Sequence, residues 1–590
     1  MPASIRGVRP ASPSAIIDFP DEDGRSCSLL FERPVEVFTA DSVAAVRPAL
    51  RAAERAAAAG LYVVGYVAYE AAPAFEPACA VRGGGRVPLL WFGAFRHATP
   101  LDGLESAGEF SLGPWAPGVR RGEYDAAIRA IRDAIGRGAV YQVNFTLRLR
   151  ARFQGDDLAF YRRMCAAQGA GYFAYLDLGR YRVLSASPEL FFRRIGDRLV
   201  ARPMKGTARR GRWLKEDERR AAELQTSAKD RAENLMIVDL VRNDLGRIAP
   251  FGAVRTERLF QLERYRTVHQ LTSTVSAPLR PGTSLEEIFA ALFPCGSVTG
   301  APKIAAMRFI ADLEDAPRGV YCGAVGVLLP GGDCAFNVPI RTVWIDSHTG
   351  EAEYGVGGGV TWDSTPSGEY DEAMAKAALL TRDWPDFELL ETLRIERGTP
   401  VRLERHLARL GASARYFDYP VSLAAVRDAI GAHAREFPDK TQRARVLVSK
   451  KGAVRVESVP WDPNASPRVA EVALALVPVS RHDCFLFHKT THRVVYEARL
   501  AERPGVFDVL LWNEERELTE FTRGNLVVEL GGGRWTPPRE SGLLAGTFRA
   551  ELLERGEIRE RVLRLEDLER ATGVWLINGL REWQPVRLVG

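Results

Sequence analysis

Lys229-Asp230-Arg231-Ala232-Glu233-Asn234-Leu235-Met236 opens a stretch whose apolar spacing predicts a helix from Ala228 to Leu245. It sets Asp230 and Glu233 three residues apart, on one helical face. The same design returns far downstream in Gly368-Glu369-Tyr370-Asp371-Glu372-Ala373, with Glu369 and Glu372 as the pair. Four carboxylates converging from two helices repel one another unless a cation lies between them. Mg2+ suits that arrangement, because it takes one or two carboxylates directly and keeps several waters. Taken singly, each pair reads as a solvated acidic face. Two glycine-rich strings, Tyr354 to Val360 (with Gly357 and Gly358) and Cys295 to Lys303 (with Ser297), favour a site, since glycine lets backbone approach a ligand closely.

Working outward, Lys205 lies in Arg202-Pro203-Met204-Lys205-Gly206-Thr207, where the flanking Pro and Gly predict a tight turn. Its amine is a poor nucleophile at an ordinary pKa of about 10.4. Desolvation or neighbouring cations would make it reactive. Alone it reads as a surface lysine, with Arg209, Arg210 and Arg212 following it.

The chain has 590 residues, enough for two or more cores. Lys+Arg 80 against Asp+Glu 75 leaves a net charge of +5, which gives no electrostatic case for nucleic acid. Seven scattered cysteines without a Cys-x-x-Cys spacing read as reduced thiols, not a disulfide frame or a zinc site. Met1 to Pro20 lacks the pattern of a signal peptide, and no apolar run reaches the roughly 18 residues of a membrane span. A cytoplasmic protein with no membrane partner is the expectation. A helix is expected from Thr39–Ser42 to Gly60, with Pro48 kinking or shortening it. Leu61 to Tyr69 and Val140 to Leu147 read as strands, and 122–137 as a helix. The pattern breaks at Trp384-Pro385-Asp386 and restarts with a strand over Phe387 to Ile395 and a helix from about Leu403. Domains are therefore expected at 1–383 and 384–590. Nothing in residues 1–60 identifies an effector site.

Ser185-Ala186-Ser187-Pro188-Glu189, Pro203 to Thr207, Glu233 to Gly246, Gly296 to Lys303, Tyr321 to Gly326, Asn337 to Thr342 and Gly355 to Glu372 together resemble the chorismate-utilising enzymes, in family order, over about residues 60–380. The resemblance implies an α/β (α+β) domain of twisted, mainly antiparallel sheets packed with helices. It implies Mg2+ on Glu233 and Glu372 directly, with Asp230 and Glu369 acting through water; Asp230 departs from the glutamate of some relatives. Arg341 and Tyr321 would hold the enolpyruvyl carboxylate, helped by Ser297, Lys303 and the backbone at Gly357 and Gly358. His269 would lie near the ring hydroxyl. Lys205 separates aminodeoxychorismate synthases, which carry this lysine, from anthranilate synthases, which carry a small residue. Lys205 would attack C2 while Glu189 protonates the departing C4 hydroxyl, and ammonia would then displace the lysine. None of the cysteines has the surroundings of a glutaminase nucleophile, so a separate glutamine amidotransferase subunit is the expected ammonia source.

The second half has its own constellation: Arg409, Lys489, Glu520 and Thr522 in Leu518 to Leu526, Gly546-Thr547, and Arg581 in Ile577 to Arg581. From about residue 387 to the end these resemble the fold-type IV pyridoxal phosphate enzymes, a two-lobed fold that includes D-amino acid aminotransferases and aminodeoxychorismate lyase. The resemblance implies Lys489 as the lysine that bonds the cofactor and carries protons, and Glu520 on the pyridine nitrogen. Arg409, Gly546 and Thr547 would hold the phosphate, and Arg581 a substrate carboxylate. Gly579 stands where serine is expected. A homodimer is compatible with this resemblance. Lyase and aminotransferase are separated by the fusion rather than by these motifs, because the first half's product would be the lyase's substrate. The alternatives are an anthranilate- or isochorismate-forming enzyme fused to a class IV aminotransferase, or to a non-catalytic docking module.

Overall fold

The expected helix forms, spanning Ala228–Gly246. Ser227 caps it, its side chain accepting from the Asp230 N–H. Ile237, Val238, Val241 and Leu245 form its buried stripe, at the three-and-four spacing of one helical face. The computed structural model describes residues 11–21, 23–101, 108–462 and 467–590. The first ten residues of the Met1–Pro20 reading lie outside them. Contacts divide the chain into two units: Met1–Arg209 with Ala222–Trp384, and Arg210–Ala221 with Pro385–Gly590.

The first unit is built on two antiparallel sheets of eleven and ten strands. Strand alternation sets their faces. In Ser14–Pro20, Ala15 and Ile17 enter a core shared with Val64, Tyr66, Trp91 and Val325 of the other sheet. Ile16 points the opposite way, toward Ile128, Phe160 and Ala373 on helices. The outer face of the ten-stranded sheet packs Val63 and Val67 against Val46, Ile237 and Ile288, again helical. The layering is helix, sheet, sheet, helix, so each sheet is buried on both faces.

The helix Val43–Ala58 runs through Pro48 without ending there. The proline forfeits one backbone bond, but Val46, Leu50, Ala53 and Ala57 bury one continuous face that holds the helix together. Lys205 also differs from expectation. It lies in the strand Met204–Arg209, whose pairing with Val268–Pro278 shifts register between Met204 and Thr207. Gly206 takes φ +92° there, so the Pro–Gly signal marks a β-bulge rather than a turn. A bulge bends the strand and re-aims a side chain.

A buried ion network braces this unit. Glu314 accepts from the Thr146 hydroxyl at 2.7 Å and pairs with Arg318 at 2.6 Å and Arg148 at 3.3 Å, all nearly without solvent exposure. Removing the shared carboxylate leaves two buried guanidiniums without it. Glu314→Ala is expected to destabilise the protein by about 3–5 kcal/mol, measured by urea denaturation of the full chain.

The second unit holds a four-stranded sheet (Leu389–Glu396, Thr399–Pro400, Thr441–Val448, Val454–Pro460) packed by the helices Leu403–Phe417 and Leu423–Arg435. An eight-stranded mixed sheet follows from Ala470. These are the two lobes the sequence implies. No helix among the described residues is long and apolar enough to cross a membrane, and the seven cysteines form no disulfide.

Candidate active sites

A cavity of about 190 Å3 in the first unit gathers most of the expected residues: Glu189, Lys205, Asp230, Glu233, Ser297, Tyr321, Arg341, Gly357, Gly358, Glu369 and Glu372. Its walls come from both sheets and from the helices Ala228–Gly246 and Pro366–Ala377. The Lys205 amine points at the glycine string, where a Cβ on Gly359 would sit 2.5 Å from it. Glycine at 359 is therefore what admits the amine. Burial lowers the Lys205 pKa against the pull of Glu233, which raises the neutral, nucleophilic fraction. Asn234, next to Glu233, donates to the Lys205 carbonyl at 3.1 Å and fixes the bulged strand. One helix thus carries both the acid that faces the cavity and the amide that positions the lysine.

Glu189 is buried, and burial pushes its pKa up to about 7, against the opposing effects of Ser297 and Lys205. It can hold a proton near neutral pH. Burial likewise raises Glu233 and Glu369, and each feels a neighbouring carboxylate: Glu233 feels Asp230 and Glu372, and Glu369 feels Glu372. Lys376 holds Glu372 below the usual carboxylate range, at 2.8 Å. This oxygen-rich, mutually repelling set is the donor chemistry of a hard cation, although the described residues hold no cluster of three ligating groups already gathered.

Two expected residues lie elsewhere. Lys303 is tied to Asp244 at 2.8 Å and to the Leu292 carbonyl, and does not line the cavity. It neutralises a buried acid of the helix Ala228–Gly246. His269 is fully buried in the strand Val268–Pro278, while its neighbour Gln270 lines the cavity. Successive strand residues face opposite sides, so the Thr-Val-His-Gln string delivers its glutamine to the cavity instead.

The second unit's cavity, about 370 Å3, is lined by Arg409, Lys489, Glu520, Thr522, Gly546, Thr547 and Arg581, all of the residues expected there. Lys489 is half-buried, and desolvation with the nearby Arg409 and Arg493 lowers its pKa to about 8. Glu520 is raised by burial to about 7 while held by Tyr496 at 2.8 Å and the Leu544 N–H at 3.0 Å. Burial would raise Glu391, but Arg409 and His406 together bring it down to about 2. That carboxylate grips Arg409 at 2.8 and 2.6 Å and aims it. Gly546 caps the helix Thr547–Glu554, whose free N–H groups suit a phosphate. At Gly579 a Cβ would stand 3.1 Å from the Thr547 hydroxyl, a steric reason for glycine where serine is expected.

The chorismate binding enzyme family model matches residues 100–382, and the amino-transferase class IV model matches residues 388–589. The chain joins a chorismate-binding enzyme domain to a class IV amino-transferase domain. The first domain is 45% identical over 264 residues to the aminodeoxychorismate synthase of Streptomyces griseus, covering 44% of this chain and 36% of that one. It is 38% identical over 262 residues to aminodeoxychorismate synthase component 1 of Escherichia coli, covering 44% and 57%. The chain thus spans from about a third to just under three fifths of these relatives. It is also similar to the crystal structure of anthranilate synthase component I from Streptococcus pneumoniae, at 25% identity and a TM-score of 0.51, covering 64% of this chain and 94% of that one.

In the chorismate-binding domain, sequence reading missed Asn234 and Lys376. Asn234 sits inside the quoted helix string, and Lys376 one turn past Glu372, so both were within reach. In the class IV domain it missed Glu391, His406, Arg443 and Arg523. Arg523 lies inside the quoted Leu518 to Leu526 string, beside Thr522, and His406 one turn before Arg409 on the same helix; Glu391 and Arg443 stand on strands that carry no motif.

Proposed function

We propose that the chain makes p-aminobenzoate from chorismate in two steps, as expected of a folate-pathway enzyme, with ammonia supplied by a separate glutamine amidotransferase subunit. The observation that carries this reading is the amine of Lys205 sharing one cavity with the proton-holding Glu189. The relatives named for aminodeoxychorismate synthesis support it.

In the first cavity Lys205 bonds to C2 of chorismate as the C4 hydroxyl leaves with the proton of Glu189. Ammonia then adds at C4, the Lys205 bond breaks, and 4-amino-4-deoxychorismate forms. Arg341 and Tyr321 orient the enolpyruvyl carboxylate, Arg341 by a fork that binds it in two places. Glu233 and Glu372 would hold Mg2+, with Asp230 and Glu369 behind bound water; the ion would neutralise the ring carboxylate.

In the second cavity Arg409, Gly546 and Thr547 would hold the phosphate of pyridoxal phosphate, Thr522 would line the bound ring, and Glu520 would face its nitrogen. The bound cofactor would withdraw electrons from the substrate's amino-bearing carbon. Lys489 takes the C4 proton, pyruvate departs, and the ring becomes aromatic. Arg581 holds a substrate carboxylate. A cytoplasmic location and a homodimer complete the proposal.

Product identification tests it. The purified chain is incubated with chorismate, Mg2+, pyridoxal phosphate and excess ammonium. p-Aminobenzoate and pyruvate are expected. Anthranilate or isochorismate would overturn the first step, and 4-amino-4-deoxychorismate accumulating alone would overturn the second. A pH profile tests the acid. Glu189 must be protonated to act and its pKa is raised to about 7. At constant free ammonia the protonated Glu189 that the step needs is therefore lost about tenfold per pH unit above that value, and kcat/KM for chorismate is expected to fall at that rate once Lys205 is neutral. Glu189→Gln should lose this limb together with most of the activity.

A further inference from the structure

Lys489 is held in place partly from far up the chain. Phe487, His488 and Lys489 lie in no helix or strand, so side-chain packing has to fix what no backbone ladder fixes. After Lys489 the backbone is tied within the class IV domain, where the Leu390 N–H donates to the Lys489 carbonyl at 3.0 Å. Before it stand Phe487 and His488, both buried, and their packing leads to residues 210–213. In sequence those residues belong with the first domain, between the strand Met204–Arg209 that carries Lys205 and the helix Ala228–Gly246. In the folded chain they belong to the second unit, as part of Arg210–Ala221.

Each half of this segment serves one of the two residues. The Trp213 ring stacks on Phe487, with centroids 5.2 Å apart and planes at 28°. The Arg212 guanidinium lies over both rings, at 4.8 Å and 5.2 Å. Arg539 joins them, 4.9 Å over Trp213 while donating to the Phe487 carbonyl at 3.3 Å. His488 is reached through Tyr416, whose ring stacks on it at 4.3 Å, and Ser413 meets its Nδ1 at 2.9 Å. The Tyr416 hydroxyl donates to the Gly211 carbonyl at 2.8 Å, and the Arg210 guanidinium lies 4.6 Å over the same ring. Burial and the nearby Arg539 bring the His488 pKa down to about 3, so this histidine packs as a neutral ring and carries no proton. The segment is stiffened by its own acids. Asp217 accepts from the Gly211 N–H at 2.8 Å and from Arg210 at 2.7 Å, and Glu216 accepts from the Arg212 N–H at 2.8 Å. A Cβ on Gly211 would stand 2.1 Å from the Asp217 nitrogen, so only glycine fits there.

We propose that residues 210–213 are a working part of the class IV site: positioning residues that fix Phe487 and His488, and through them the reach of the Lys489 amine into its cavity. The inference rests on the proposed pyridoxal phosphate reading of that site. Lysine carries its amine on a flexible four-carbon stem, so the amine is only as well placed as the backbone beneath it. A misplacement of about 1 Å can cost about a hundredfold in rate. The class IV domain is then not self-sufficient, because the piece that aims its lysine comes from the first domain's stretch of sequence.

The test uses the full chain and pyridoxal phosphate, with Trp213→Ala and Trp213→Phe beside the parent. Two readouts separate positioning from folding. One is the pH dependence of cofactor uptake, followed by the absorbance of lysine-bound cofactor. The other is kcat and KM for pyruvate release from added 4-amino-4-deoxychorismate. Trp213→Ala removes the ring that backs Phe487, while the charges acting on Lys489, those of Arg409, Arg493, Glu391 and Glu520, stay in the chain. Its uptake profile is expected to move up by about one pH unit, as a looser lysine regains water. Its kcat is expected to fall about tenfold or more, with KM within about twofold. Trp213→Phe keeps a stacked ring and is expected to recover kcat to within about threefold of the parent. A merely structural role would lower Tm and the folded fraction but leave the uptake profile, and kcat per bound cofactor, at the parent's values. That result, or a Trp213→Ala chain that matches the parent outright, overturns the proposal. If Trp213→Ala does not fold, Tyr416→Phe decides, since it deletes only the hydroxyl that meets Gly211. An upward shift of about half a pH unit in uptake then supports the proposal, and an unmoved profile overturns it. A parent chain that develops no absorbance of lysine-bound cofactor overturns the reading of the site and this inference with it, and is seen before any variant is compared.

Discussion

Lys205→Ala is expected to lower the proposed formation of 4-amino-4-deoxychorismate by about a thousandfold or more, with chorismate binding little changed. The size follows from what is removed: the proposed nucleophile, which would divide one difficult displacement into two easier ones. The residues proposed to bind the substrate are left in place. Arg341, Tyr321 and the four carboxylates line the cavity independently of the lysine. The loss should therefore fall on kcat rather than KM. The fold should tolerate the change, because the bulge at Gly206 and the bond from the Asn234 side chain to the 205 carbonyl use only backbone atoms of residue 205. Initial rates with excess ammonium, beside a thermal melt of each protein, make the measurement. A variant within about tenfold of the parent would show that Lys205 is not the nucleophile and would revive an anthranilate- or isochorismate-type reaction. Lys205→Arg should fail equally, since guanidinium keeps its proton at any accessible pH.

Lys489→Ala is expected to abolish the absorbance of lysine-bound cofactor and to lower the proposed p-aminobenzoate release by about a thousandfold or more, with 4-amino-4-deoxychorismate still forming and accumulating. The loss would have two sources, because in the proposed mechanism one residue both tethers the cofactor and moves the proton. Burial beside Arg409 and Arg493 brings its pKa down to about 8. The neutral amine therefore grows as pH rises toward 8, and cofactor uptake by the parent chain should speed up in the same direction. Arg409, Gly546 and Glu520 remain in the variant, so it should still retain pyridoxal phosphate, without the bond. Unchanged pyruvate and p-aminobenzoate output would make this domain something other than a lyase.

Much of both sites was legible in the chain because their parts lie in short strings with local meaning. The helix Ala228–Gly246 could be read from its spacing, and with it the common face of Asp230 and Glu233. The glycine string at 355–359 marked close approach, and the structure supplies the reason at Gly359, where a side chain would collide with the Lys205 amine. Reading failed where a string delivers one residue of two. His269 and Gln270 are adjacent, and strand alternation, set by pairing with Met204–Arg209, decides which of them faces the cavity. Lys303 sat in a site-like string but answers Asp244, a partner 59 positions away.

The sequence by itself determined the chemical inventory and the local geometry: which side chains can attack, donate a proton or hold an anion, and which of them share a helix face. Those follow from residue type and from the fixed periods of helix and strand. The tertiary structure alone decided what faces what. It buried Glu189 until its carboxyl holds a proton near neutrality, and clasped Arg409 with Glu391. It also laid residues 210–213 against Phe487 and Tyr416. Burial and pairing depend on neighbours remote in the chain, and pKa and the aim of a reactive side chain depend on burial and pairing.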